Sequence, residues 1–162
     1  MGYNLTIGEA EIEYNEDFCC IDARFETHED APSHCKYTKN GNRRSVGYSA
    51  WSDFCKKADI TTLFYGGGWQ YPGYAPCPDD FHRETCLLAE HPGAQPITKA
   101  DADYVSKKLE EYRAKNPNSI AGFWDEGNVD NGKDYTLARF LWLDFWMRWA
   151  VENCENPVFA NS

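Results

Sequence analysis

The run YTLARFLWLDFWMRWAVENC, residues 135–154, constrains this chain more than any other stretch. Nearly every position is apolar, so a helix built from it has no broad polar face to give to water and must be covered on most sides by its own protein. Trp142, Trp146 and Trp149 follow one another at i, i+4 and i+7 and form an aromatic seam. The polar exceptions are ordered. Asp144, Arg148 and Glu152 recur every four residues and share one stripe, with Arg139 a turn before them. Charges on such a helix are costly unless paired or used, which leaves two readings open. In the structural one Asp144 and Arg148 form an i,i+4 ion pair or the stripe is a solvent-facing edge of the helix; in the functional one it is the charged floor of a cleft.

A helix of this kind needs other elements to cover it. Tyr3, Leu5 and Ile7 alternate with Asn4 and Thr6, and AEIEY at residues 10–14 repeats the period with carboxylates on its outer side, which predicts two half-buried strands. The opening MGYNLT also carries the myristoylation pattern, with Thr6 in place, but the alternation makes a strand the better reading. FCCIDARFET at residues 18–27 predicts a third strand, antiparallel to the second through a short hairpin. Residues 27–47 are polar and carry Pro32 and Asn40-Gly41, so they read as a loop or insert.

Tyr48, Trp51, Phe54, Cys55 and Ala58 share one face of a short amphipathic helix, with Ser45 or Ser49 near its start. A second helix follows PIT at residues 96–98, where Thr98 and Asp101 have capping-box spacing and Asn116-Pro117 marks the stop. Asp134 is placed to cap the final helix. Strands first and helices later predict an α+β fold, a single globular domain over residues 1–162. In it a small antiparallel sheet from the N-terminal third packs against the buried C-terminal helix, with two further helices and long loops.

Charge narrows the partners. The formal net charge is −10 and the acids are spread along the chain, which argues against direct binding to a phosphate backbone or an anionic membrane. No apolar stretch reaches the roughly 18 residues of a bilayer span. The 7 cysteines are odd in number and have no repeated spacing, so a disulfide framework reads poorly and a reduced, cytoplasmic protein is expected.

Aromatic residues make up 15% of the chain, a share that must be buried or used as a surface. They concentrate in FYGGGWQYPGYAPCPDDFHRETC, residues 64–86, where Tyr65, Trp69, Tyr71 and Tyr74 are interleaved with Gly and Pro. Rings at such irregular spacing either pack as a flap on their own core or close over a ligand. Cys77, His82 and Cys86, with His28, His34 and Cys35 in the earlier polar stretch, are the residue types of a zinc site. Neither group has the short Cys-x2-Cys knuckle, and no metal or other cofactor is expected. GGGW at residues 66–69 lacks the Lys-Ser/Thr of a phosphate-binding loop, and DEGNVDNGKD at residues 125–134 lacks the register of a calcium loop.

YSAWSDFCKKA at residues 48–58, HPG at 91–93, ITKAD at 97–101 and the closing WMRWAVENCENPVFANS resemble small uncharacterised proteins encoded by bacteriophages and prophages. These segments make up 36 of the chain's 162 residues. The resemblance carries no assigned activity and no catalytic residue. It implies a protein made in the host cytoplasm during infection, of a kind that often interferes with the host by binding.

The functional expectation is a non-enzymatic binding protein, such as a counter-defence protein that sequesters a small polar or nucleotide-like host signalling molecule. Tyr65, Trp69, Tyr71, Tyr74, Arg139, Asp144 and Arg148 would line one cleft. Two alternatives stand beside it. One is an inhibitor that sets Glu9, Glu11, Glu13, Glu16 and Asp17 against a basic host protein, and the other is a metal-dependent hydrolase built on the His/Cys loops.

Overall fold

The computed structural model describes residues 1–9, 13–15, 20–22, 41–66, 85–122 and 132–162. The final helix, α4 (Tyr135–Asn153), has buried residues on every side, among them Leu137, Phe140, Trp142, Leu143, Trp146 and Met147. Its surroundings explain this. On one side it packs against strands β1 (Gly2–Glu9) and β6 (Pro157–Asn161), and on the other it meets helices α1 (Tyr48–Ala58) and α3 (Lys99–Lys115).

The sheet has the order β4-β1-β6-β5, with β4 at Arg43–Gly47 and β5 at Gly93–Pro96, and every neighbouring pair is antiparallel. β1 is the hinge of the register. Its first residues pair with β4, from Gly2↔Gly47 to Thr6↔Arg43, and its last with β6, from Leu5↔Asn161 to Glu9↔Pro157. The alternation of β1 is the expected one, with Leu5 and Ile7 fully buried and Asn4 exposed. A separate two-stranded sheet joins β2 (Glu13–Asn15) to β3 (Cys20–Asp22), antiparallel as the hairpin reading predicts.

The architecture is α+β, as expected, but its parts come from more of the chain than the sequence suggests. Half of the main sheet arises outside the N-terminal third: β5 starts at the glycine of HPG, and β6 starts at Pro157. A short helix, α2 (Thr61–Tyr65), adds a third helix to the two expected beside α4. Residues 43–47, expected to belong to a polar loop, form strand β4. Their period is hidden because one of the two inward residues is Arg44, buried beside Val46 while Arg43 and Ser45 face out. The Arg44 guanidinium lies 5.3 Å from the Trp142 ring centroid, and the ring's face offers a cation some of what it loses on leaving water.

Local chemistry sets the helix ends. Thr98 and Asp101 form the reciprocal capping box at the start of α3, and the Asp134 side chain accepts from the Leu137 N–H at the start of α4. α1 departs from expectation: its N-cap is Gly47, without a side-chain cap, rather than either serine. At the far end of α4 the Glu9 carboxylate accepts from the N–H groups of Glu155 (2.8 Å) and Asn156 (2.6 Å), which fixes the turn into β6.

Trp146 tests the packing of α4. It is 2% exposed and meets Phe145 and Trp149 edge-on at 5.0 and 5.4 Å. Trp146→Ala should lower stability by about 3–5 kcal/mol. The indole N–H has no hydrogen-bond partner among the described residues. Relief of that buried donor, a burden of about 1–3 kcal/mol, should hold the loss in Trp146→Phe to about 1–2 kcal/mol. Denaturant unfolding of the two variants separates these values, and a loss below about 1 kcal/mol for the alanine would show that this face is not packed.

Candidate ligand site at the start of helix α4

The charged stripe of α4 resolves into an internal tie. Asp144 is buried, and both of its carboxylate oxygens have protein partners: Ser106 Oγ on α3 donates to Oδ1 at 2.5 Å and Arg148 Nη2 donates to Oδ2 at 2.7 Å. The i,i+4 pair is therefore present and is joined across to the neighbouring helix. A groove of about 610 Å³ runs beside it between α3 and α4, with Glu110, Arg113, Phe145, Trp149 and Glu152 among its walls. Among the described residues its titratable side chains, with Asp144 and Arg148, are three acids and two arginines, and the deepest acid is already hydrogen-bonded on both oxygens. That lining gives an anionic ligand little electrostatic reason to enter.

Arg139 lies elsewhere. Five residues separate it from Asp144, and at about 100° per residue they differ by about 140° around the helix. It lines a second cavity, of about 640 Å³, together with Lys57 of α1, Lys133 and Asp134. Among the described residues three cations and one carboxylate thus line this cavity, in a chain whose net charge is −10. Tyr112 of α3 and Tyr135 add rings, while Asn116, Ser119 and Thr136 add an amide and two hydroxyls.

The carboxylate in this cavity is occupied twice. Asp134 Oδ1 caps α4 through the Leu137 N–H at 2.9 Å, and Oδ2 accepts from Tyr112 Oη at 2.7 Å. Burial first, then the hydrogen bond and charge of Asp134, push the Tyr112 hydroxyl well above the usual phenol range, so it keeps its proton and remains a donor. On the cationic side, burial lowers the Arg139 guanidinium. Burial and then the like charge of Arg139 lower Arg44 to about 9. Each direction reports a cation less well solvated than in water, and an anion brought close would stabilise the charged forms. The site also stands at the N-terminal end of a 19-residue helix, where the aligned peptide dipoles favour negative charge.

The residues proposed from sequence to share one cleft are thus divided. Asp144 and Arg148 belong to the α3/α4 groove and Arg139 to the cavity before α4, while Tyr65 ends α2, half-buried against the core. Trp69, Tyr71 and Tyr74 lie outside the described residues, as do His28, His34, Cys35, Cys77 and His82. Cys86 is described and half-buried, and no group of three or more metal-ligating side chains is assembled among the described residues. Of the acids set against a basic partner, Glu9 is engaged with the backbone at residues 155 and 156, and Glu11, Glu16 and Asp17 are outside the described residues. Lys57, Lys133 and Tyr112 escaped the sequence reading. Lys133 had a local signal, a cation directly before the Asp134 cap, whereas Lys57 and Tyr112 reach the cavity only through the packing of α1 and α3.

Exposure decides which half of the buried pair matters more. The Asp144 side chain is 5% exposed and that of Arg148 is 53% exposed. Arg148→Ala leaves a buried carboxylate with one hydroxyl donor and should cost about 2 kcal/mol, the scale of a hydrogen bond to a charged group. Asp144→Asn leaves an arginine that water can solvate and should cost about 1 kcal/mol or less. Chemical denaturation reads both, and the reverse order would show that the pair is held open to solvent.

Comparison with known proteins finds no matching family model, no matching curated protein and no matching solved structure.

Proposed function

We propose that this protein binds a small anionic, nucleotide-like molecule in the cavity before α4, and that this cavity sequesters its ligand rather than turning it over. The observation that carries this reading is the convergence of Lys57, Lys133 and Arg139 on one cavity of an otherwise acidic protein. At physiological salt, charges beyond about 8 Å are largely screened, so an incoming phosphate responds mainly to the charges that line the cavity, among the described residues these three cations and Asp134. Its volume of about 640 Å³ falls within the range of small-molecule sites.

Each part of such a ligand has a counterpart. Arg139 offers a planar fork of donors to phosphate oxygens, and Lys57 and Lys133 supply compact charge. The rings of Tyr112 and Tyr135 offer faces for a base, and the Asn116 amide and the hydroxyls of Ser119 and Thr136 suit sugar and base edges. Sequestration of a host signalling nucleotide during phage infection accords with the sequence resemblance. That context rests on the resemblance alone.

Heating the purified protein and identifying the released small molecules by mass spectrometry reads the ligand directly. Calorimetric titration with a panel of mono-, di- and cyclic nucleotides, with inorganic phosphate as the smallest probe, reads the site. Arg139→Gln should weaken binding by about tenfold or more, corresponding to loss of a charge-assisted hydrogen bond of about 1.5–3 kcal/mol. Lys133→Gln should weaken it less and reduce its salt dependence. Binding that is unchanged in Arg139→Gln, or no binding of any probe at millimolar concentration, would overturn the assignment.

A further inference from the structure

Three residues far apart in sequence meet at one end of the sheet. Tyr48 is the first residue of α1, directly after β4; His91 stands two residues before β5; and Asn161 is the last residue of β6, paired with Gly93. Tyr48 Oη lies 2.8 Å from His91 Nε2, and His91 Nδ1 lies 2.5 Å from Asn161 Oδ1. The network assigns the protons. Asn161 Nδ2 donates to the carbonyls of Glu90 (2.9 Å) and Gly93 (3.3 Å), so the oxygen of the amide is the atom facing the imidazole. An amide oxygen only accepts, so Nδ1 carries the proton. Nε2 of the neutral ring is then an acceptor, and Tyr48 Oη donates to it.

This is the arrangement of a nucleophile, a base and a group that orients the base. Exposure is graded in the same sense. Asn161 is buried at 4%, whereas Tyr48 is 36% exposed and His91 opens to solvent. The ring of Tyr3 packs edge-on against both Tyr48 and His91, with centroids at 4.6 and 5.0 Å, and so limits rotation of the imidazole. A purely structural staple does not require all three. Asn161 already ties the chain before β5 through two carbonyls, and an exposed tyrosine–histidine bond adds about 1 kcal/mol or less.

We propose that Tyr48, His91 and Asn161 form an acyl-accepting triad whose substrates are activated acyl donors, namely thioesters and aryl esters. Tyr48 Oη attacks the carbonyl carbon while its proton passes to His91 Nε2. The tetrahedral adduct collapses with cleavage of the C–S or C–O(aryl) bond, and the thiolate or phenolate leaves, taking up the proton. Water, deprotonated by His91, then attacks the acyl-tyrosine ester; the Tyr48 oxygen leaves and is reprotonated. The net reaction consumes one water and releases an acid and a thiol or phenol. Leaving-group basicity sets the class. A phenol ionises near pH 10 and a thiol near 8.5, so a phenolate displaces a thiolate or another phenolate readily. Alkyl esters and amides, whose leaving groups are far more basic, are excluded.

Wild-type protein is mixed with p-nitrophenyl acetate or an acetyl thioester, quenched in acid and peptide-mapped by mass spectrometry. A single acetyl group is expected on Tyr48, absent from Tyr48→Phe, and His91→Gln should slow its formation by about 100-fold or more. Two results would each overturn the triad: acetylation absent from Tyr48 or spread equally over other exposed tyrosines, or an unchanged rate in folded His91→Gln. Should His91→Gln fail to fold, the distribution of acetyl groups over the wild-type tyrosines decides alone.

Discussion

The apolar surface around α4 is the constraint on which the rest of the structure depends. A helix with one apolar stripe can lie on a sheet and face water, but this one cannot, and the fold answers by placing it between β1 and β6 on one side and α1 and α3 on the other. Each neighbour then becomes amphipathic in turn. Trp51, Phe54, Cys55 and Ala58 bury the inner face of α1, while Lys56 and Lys57 stay outside. α3 buries Ala102, Val105 and Leu109, and its Ser106 reaches the one carboxylate that α4 brings into the contact. That carboxylate makes the packing specific. Apolar helices can slide past one another at little cost, whereas Asp144, already paired with Arg148 on its own helix, has its second oxygen satisfied only in the register that places Ser106 of α3 within reach.

What was legible in the sequence was local. The Thr98–Asp101 capping box, the Asp134 cap and the Asp144–Arg148 pair each join residues three or four apart, and a helix brings such positions together without help from the rest of the chain. The alternation in β1 was legible for a similar reason, because one face of a strand repeats every second residue. β4 was not, since Arg44 occupies an inward position and breaks the apolar pattern that would have marked the strand. β6 was masked in another way. Its five residues begin with Pro157, which cannot continue a helix, and only pairing with β1 and β5 makes them a strand.

The candidate site was half legible. Arg139 stood out as a charge on an apolar helix, but grouping it with Asp144 and Arg148 treated neighbours in sequence as neighbours in space. A five-residue step turns a helix by about 140°, so Arg139 faces the start of α4 and the approach of α1 and α3 instead of the groove. Tyr112 and Lys57 join it only because α4 is sandwiched. The same long-range closure assembles Tyr48, His91 and Asn161, which are separated by 43 and 70 residues along the chain.

Both proposed sites lie where ordered elements begin or end, and there is a physical reason for it. Inside α4 or β1 the side chains are committed to burial and the backbone groups to one another. At an element's end the backbone has unsatisfied donors or acceptors and the side chains are half in water, so a polar group can be held firmly and still meet a ligand. Asp134 shows the principle, binding the Leu137 N–H with one oxygen and the Tyr112 hydroxyl with the other. Asn161 shows it again at the end of β6, where its amide holds two backbone carbonyls and leaves its oxygen to orient His91. In each case one polar side chain, half-buried Asp134 or buried Asn161, ties the proposed site to the fold. The rigidity of the site then follows from the packing that fixes α4 and the sheet, and needs no separate scaffold.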